Sequence, residues 1–188
     1  MPNSHEEIVK DASNRMKKSV EVSRNELAHI RTGKASPVLL DPVKVEAYGA
    51  VMPLKQVANI IVQAPRTLVI QPWDKSLLSE IEKGILKANL GLTPINDGNV
   101  IRINIPPLTG ERREELVKVA AQVIERGKVS IRSVRRDAIS LLKEGEKTGD
   151  IPEDLSFRTQ KEIQKLTDKY QEELDKLFEN KKKEIMRV

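Results

Sequence analysis

The sequence predicts an α+β protein: an antiparallel three-helix bundle with a small α+β domain inserted after its first helix. Three observations lead there. Apolar residues recur at three- and four-residue steps through three long stretches, about residues 4–30, 109–147 and 153–186. Pro37, Pro42, Pro53, Pro65, Pro72 and Pro94 punctuate the segment between the first two, where no long helix could survive them. Short β-branched or alternating runs lie between those prolines.

The first helix carries Val9, Ala12, Met16, Val20, Leu27 and Ile30 on its apolar stripe, and Arg31-Thr32-Gly33 ends it, glycine just past a periodic run being a common stop. Strands are expected at Val43–Tyr48, Asn59–Val62, Thr67–Ile70 and Asn99–Ile105. One helix interrupts them, about residues 76–89, with Leu77, Ile81, Ile85 and Leu86 inward and Gly91 and Pro94 closing it. Pro106-Pro107 returns the chain to helix. The second long helix would run on the order of 50 Å at 1.5 Å per residue. Gly149-Asp150-Ile151-Pro152 makes the next turn, and Pro152, Glu153 and Asp154 suit a helix start. The last helix carries Ile163, Leu166, Tyr170, Leu174, Leu177 and Phe178 as its seam.

None of the three long helices can bury its stripe alone. The economical arrangement is a bundle of residues 1–30 and 107–188, with residues 31–106 as the insertion. Two connecting strands, Arg31-Thr32-Gly33-Lys34 and Pro106-Pro107, then form a hinge. A coiled-coil homodimer is the alternative, but the turn at residues 149–152 favours a chain folded back on itself, and a monomer is expected.

Of 188 residues, 38% are hydrophobic and 32% charged, and none is cysteine, which excludes disulfides and thiolate chemistry. No run approaches the roughly 18 apolar residues of a membrane span. The start of the chain lacks an apolar signal core, and a cytoplasmic protein with no membrane contact is expected. The aromatics are few and scattered (Tyr48, Trp73, Phe157, Tyr170, Phe178), which argues against a base-stacking platform.

The charge has one address. Lys and Arg number 33 against 28 acids, a net of +5. Residues 126–143 hold Arg126, Lys128, Arg132, Arg135, Arg136 and Lys143 against Asp137 alone, which accounts for the whole excess. At about 100° per residue, Lys128, Arg132, Arg136 and Lys143 share one face, with Arg135 beside it. Leu116, Ala120, Val123, Gly127, Ile131, Val134, Ala138, Leu141 and Leu142 fill the other. A solvated helix face ordinarily mixes Glu with Lys. This one is mostly Arg, the side chain suited to bidentate phosphate contacts. Arg112 and Arg113, in the first turn of the same helix, form a second basic cluster that Arg31 and Lys34 would extend, though Glu111, Glu114 and Glu115 could neutralise it locally. Such a ridge without aromatics suits backbone and shape recognition of folded RNA.

Catalytic constellations are scarce. His5 and His29 lie about six turns apart on one helix with no third metal ligand offered nearby. Gly33-Lys34-Ala35-Ser36 lacks the upstream glycine of a phosphate loop and has Ala35 where Ser or Thr belongs. Neither an enzyme, a cofactor nor a bound metal is expected. The rival readings are a binder of naked duplex and a helical scaffold for a protein partner.

Several short motifs then converge. Arg31-Thr32-Gly33-Lys34-Ala35-Ser36-Pro37, Leu90-Gly91-Leu92-Thr93-Pro94, Asp97-Gly98, Ile101-Arg102 and Pro106-Pro107-Leu108-Thr109 with Glu111-Arg112-Arg113 resemble the ribosome recycling factor family, as do Val134-Arg135-Arg136-Asp137-Ala138 and Gln164-Lys165-Leu166-Thr167-Asp168. The resemblance covers nearly the whole chain in order. It implies an L-shaped molecule, bundle and β/α/β domain joined by a two-strand hinge. It implies a translation factor that acts after termination, splitting the ribosome into subunits with elongation factor G and GTP and hydrolysing nothing itself. It implies that the bundle lies on large-subunit ribosomal RNA, with Arg132, Arg135, Arg136 and Arg113 (Arg112 beside it) at the family's RNA-contacting positions. Lys128 on the same face is expected to join them. Two departures are mild: Lys34 stands where many members have Arg, and Gly110 where an acid is usual.

Overall fold

The computed structural model describes residues 4–187. Residues up to Ile30 together with those from Glu114 onward form one compact unit, and Arg31–Arg113 form a second. The second boundary thus falls in the first turn of a helix, a few residues beyond Pro106-Pro107.

The first unit is helical. Helix α1 spans His5–Ala28 and opens on a capping box, in which Ser4 Oγ accepts from Glu7 N–H at 3.2 Å and Glu7 Oε2 accepts from Ser4 N–H at 3.4 Å. The unit continues in the second long helix, residues 110–148, and in a third, residues 153–186, which starts behind Pro152. Between these two, Gly149 (φ +80°) turns the chain and Ile151 N–H returns to the Gly145 carbonyl at 3.0 Å. Met16, Ile131, Leu142, Ile163 and Leu174 are fully buried at the centre. The seam of the third helix differs from the expected one. It runs Ser156, Thr159, Ile163, Thr167, Tyr170, Leu174, so that Leu166, Leu177 and Phe178 are only half-buried beside it. Thr167 is tolerated inside because its hydroxyl donates to the Ile163 carbonyl at 2.8 Å.

The second unit has a two-stranded hairpin, β1 (Lys44–Ala47) and β2 (Ala50–Pro53), then the short helix α2 (Leu54–Val57). An antiparallel sheet follows, of β3 (Ala58–Ala64), β4 (Thr67–Pro72), β5 (Pro94–Asn96) and β6 (Ile101–Asn104) in the order β3-β4-β6-β5. Helix α3 (Leu78–Lys87) lies between β4 and β5 in sequence. Its first turn is a 3-10 helix capped by Asp74, whose carboxylate accepts from Ser76 N–H at 2.9 Å. Leu68, Ile70, Ile101 and Ile103 alternate inward from the two central strands and meet Ile81 and Ile85 of α3. Strand β2 was not expected, because a Tyr-Gly loop hides its turn. Tyr48 (φ +53°) and Gly49 (φ +77°) both adopt the left-handed region that a two-residue hairpin needs. Pro94 opens edge strand β5 instead of merely ending a helix, an edge being where a sheet accepts proline.

Helix α3 crosses β1 so closely that a Cβ on Gly84 would collide with the Lys44 carbonyl oxygen. Gly84→Ala gains up to about 1 kcal/mol of helix propensity. The collision is with backbone, which cannot yield cheaply, so the variant is expected to lose about 1–3 kcal/mol of stability in urea unfolding.

Candidate nucleic-acid interface

The two long helices that remain, α4 (Gly110–Thr148) and α5 (Glu153–Met186), carry most of the expected site residues. α4 buries Leu116, Ala120, Val123, Ile124, Gly127, Ile131, Val134, Ala138 and Leu142. That stripe turns the positions near Arg132 outward, as its 3.6-residue period requires. Leu141 is half-buried and Ile124 takes a core place that the sequence reading had not given it.

Each basic side chain of the face has a defined setting. Arg136 and Lys143 are exposed, and among the described residues neither meets an acid within ion-pair distance. Arg132 is exposed and its Nη2 donates to Glu125 Oε1 at 2.7 Å, two turns back on the same helix. Lys128 is largely covered, its side chain 25% exposed, with Nζ 2.6 Å from Asp175 Oδ1 of α5. Arg135 is half-buried: its Nε donates to Gln164 Oε1 at 2.7 Å, and Gln164 Nε2 donates in turn to Asp168 Oδ1 at 2.8 Å. Gln164 and Asp168 thus belong to the setting of Arg135, a role that sequence reasoning did not find. The i,i+4 spacing of Gln164 and Asp168 was the available signal. Acids from α5 and from one turn of α4 therefore partner a face that looked free of them along its own stretch. Ion pairs this exposed contribute at most about 1 kcal/mol each, so their main effect is to fix where the guanidinium groups point.

Arg112 and Arg113 lie in the second compact unit, at the head of α4. Thr109 caps that end: its hydroxyl accepts from Arg112 N–H at 3.2 Å and its carbonyl from Arg113 N–H at 3.0 Å. The two connecting segments are not β-strands. Both are tied to one turn of the second unit: Ala35 N–H donates to the Pro65 carbonyl and Ile105 N–H to the Arg66 carbonyl, each at 2.7 Å. Gly33 needs its glycine because its φ is +77°, a backbone conformation that other residues rarely adopt. The Arg31 guanidinium donates to the Leu90 carbonyl next to Gly91, so it serves the loop between α3 and β5; Thr32 is half-buried and Lys34 exposed. Pro106 and Pro107 are exposed.

On α1, Arg15 Nη2 reaches Asp137 of α4 at 2.7 Å, and that hydrogen bond raises the Arg15 pKa above its ordinary value. Among the described residues no three His, Cys, Asp or Glu side chains are grouped to hold a metal, and no helix is long and apolar enough to cross a membrane. His29 Nδ1 lies 2.7 Å from the Asn25 carbonyl on an exposed helix end.

Known proteins resemble this chain over nearly its whole length. A family profile described as "Ribosome recycling factor" matches residues 23–186. The ribosome-recycling factor of Symbiobacterium thermophilum is 57% identical over 182 residues, 97% of this chain and 98% of that one. The Thermotoga petrophila protein of the same name is 54% identical over 179 residues, 95% and 97% of the two chains. A solution structure of a ribosome recycling factor superposes with a TM-score of 0.80 at 45% identity, covering 100% of both chains. A further structure, of the T. thermophilus ribosome recycling factor and E. coli elongation factor G bound to the E. coli post-termination complex, aligns with a TM-score of 0.67 at 45% identity over 98% of this chain and 100% of that one.

Proposed function

The chain belongs to the ribosome recycling factor family, and from that premise we propose that it recycles ribosomes after termination: with elongation factor G and GTP it parts the post-termination ribosome into subunits. The factor supplies binding and shape and catalyses no bond cleavage of its own; it works in the cytoplasm as a monomer and needs no cofactor. Its partners are the large ribosomal subunit, met through ribosomal RNA, and the GTP-bound translocase. In support, a relative alike over nearly the full length is described in complex with that factor on a post-termination ribosome.

The RNA is bound by the outward face of α4. Arg132, Arg135 and Arg136, with Lys128 at the margin and Arg112 and Arg113 at the helix head, contact phosphates, releasing counterions as they do so. The observation that carries this part is the setting of Arg135 and Arg136. Arg135 is braced from below through Gln164, leaving its terminal nitrogens for a ligand, and Arg136 meets no acid among the described residues. We further propose that residues 31–34 and 106–107 flex, so that the inserted domain (residues 31–106) can be swung while the bundle (residues 1–30 and 107–188) stays docked.

Arg135→Ala tests the RNA contact. It is expected to cost about 1–3 kcal/mol of affinity for the large subunit with the bundle still folded. Binding measured across a salt series should also show a shallower slope. Unchanged affinity with an unchanged slope would remove Arg135 from the interface.

A further inference from the structure

Within the bundle, α1 and α4 do not close on each other along their whole length. A groove of about 480 Å³ lies between them, lined by Arg15, Lys18, Ser19, Val22, Ser23 and Glu26 of α1 and by Val123, Arg126, Gly127, Ser130 and Val134 of α4. Resting on the recycling reading above, we propose that this groove is a second contact surface for the sugar–phosphate backbone of ribosomal RNA, beside the arginine face.

The cations of the lining are Arg15, Lys18 and Arg126; Glu26 lines the groove with them, and Asp11 and Asp137 hold Arg15 from outside it. Lys18 is the one of the three that meets no acid among the described residues, so what favours an anion here is Lys18 and the free donors of the two arginines. Both arginines are gripped from one side. Glu26 Oε2 takes Arg126 Nη2 at 2.7 Å. Arg15 Nη2 lies 2.7 Å from Asp137, and its Nη1 3.6 Å from Asp11. Such bracing sets the direction of a guanidinium in advance and leaves further donors, Nε and Nη1 of Arg126 among them, for an incoming phosphate. Lys18 is exposed and meets no acid within ion-pair distance among the described residues.

The rest of the lining suits a backbone and not a base. Ser19 and Ser130 share a hydrogen bond of 2.8 Å across the two helices, so their hydroxyls stand where ribose or phosphate oxygens could replace it. Val22, 49% exposed, offers apolar surface to a sugar. No aromatic lines the groove, so base stacking is not on offer. At about 100° per residue, Arg126 lies roughly 80° around α4 from Arg136, so the mouth of the groove adjoins the flank of the outer face that Arg136 occupies. Gly127 keeps the two helices near each other here, since a Cβ would collide with Ser23 Oγ.

The test uses the full chain, isolated large ribosomal subunits and three variants, each checked for an unchanged melting temperature. Lys18→Glu is expected to weaken binding roughly 3–10-fold and to make the salt slope shallower by about one. Val22→Trp, which fills the groove without touching a charge, is expected to weaken binding with the slope unchanged. Arg136→Gln reports on the arginine face. If Lys18→Glu and Val22→Trp bind like the parent while Arg136→Gln is weakened, the groove is not a contact and the arginine face stands. Should all three bind like the parent, both readings fall. If Lys18→Glu binds subunits normally yet no longer supports splitting, the groove belongs to a protein partner, and the RNA assignment is overturned.

Discussion

Replacing Arg132, Arg135 and Arg136 together by alanine is expected to lower affinity for the large ribosomal subunit by at least about 100-fold while the bundle stays folded. Charge-assisted phosphate contacts are worth about 1–3 kcal/mol each, and about 1.4 kcal/mol is a factor of ten. The bundle should tolerate the change because what these side chains offer it is slight. The Arg132–Glu125 pair is exposed on both sides, Arg136 has no ion pair among the described residues, and Gln164 keeps its bond to Asp168 when Arg135 is gone. Each phosphate contact removed should also flatten the salt dependence by nearly one unit of slope. A variant that binds weakly but with the parent's slope would mean that the loss came through distortion of the surface and not through lost phosphate contacts.

Gly127→Val is expected to act on the other side of the same helix and on stability. Swapping glycine for valine in a helix gains a few tenths of a kcal/mol of propensity. Against that, any Cβ at Gly127 collides with Ser23 Oγ and sits 3.1 Å from Leu174 Cδ1, and Ser23 and Leu174 are both buried. Three helices meet at this one point, and valine's two further methyls have nowhere to go. Overpacking wins: a loss of about 3 kcal/mol is expected, with a melting temperature lower by roughly 6–12 °C for a chain of this size. Calorimetry that finds the variant as stable as the parent would show that the helices can part here without cost.

The α+β class and the three long helices were legible in the sequence. An apolar period of 3.6 residues sustained over 24 to 39 residues fits an amphipathic helix and neither a strand nor a loop. The ends were legible where chemistry marks them, as at Gly149 and Pro152. Strand β2 was not, because a left-handed tyrosine at Tyr48 carries no signal comparable to Asn-Gly. Nor was the inward placement of Thr167 over Leu166, since a threonine that satisfies its own hydroxyl on the helix can occupy a core position that hydropathy alone would assign to leucine.

For the candidate interface, the helix-face geometry came from the sequence and the partners did not. The outward turn of Arg132 and Arg136 follows from the spacing of Ile131, Val134 and Ala138. That Asp175 would cover Lys128, Glu26 meet Arg126 and Gln164 brace Arg135 depends on how α1 and α5 are staggered against α4. Stagger is set by packing, at Gly127 among other places, and periodicity within one helix is blind to it. The groove between α1 and α4 was illegible for the same reason.

Ribosome splitting through the arginine face can be measured by sedimenting post-termination ribosomes with this protein, elongation factor G and GTP, alone and in combination, and scoring free subunits. Splitting that requires all three together is the predicted result, lost when the triple alanine variant replaces the parent. Ribosomes that stay intact with all three present, or that split equally well with the triple variant, would contradict it.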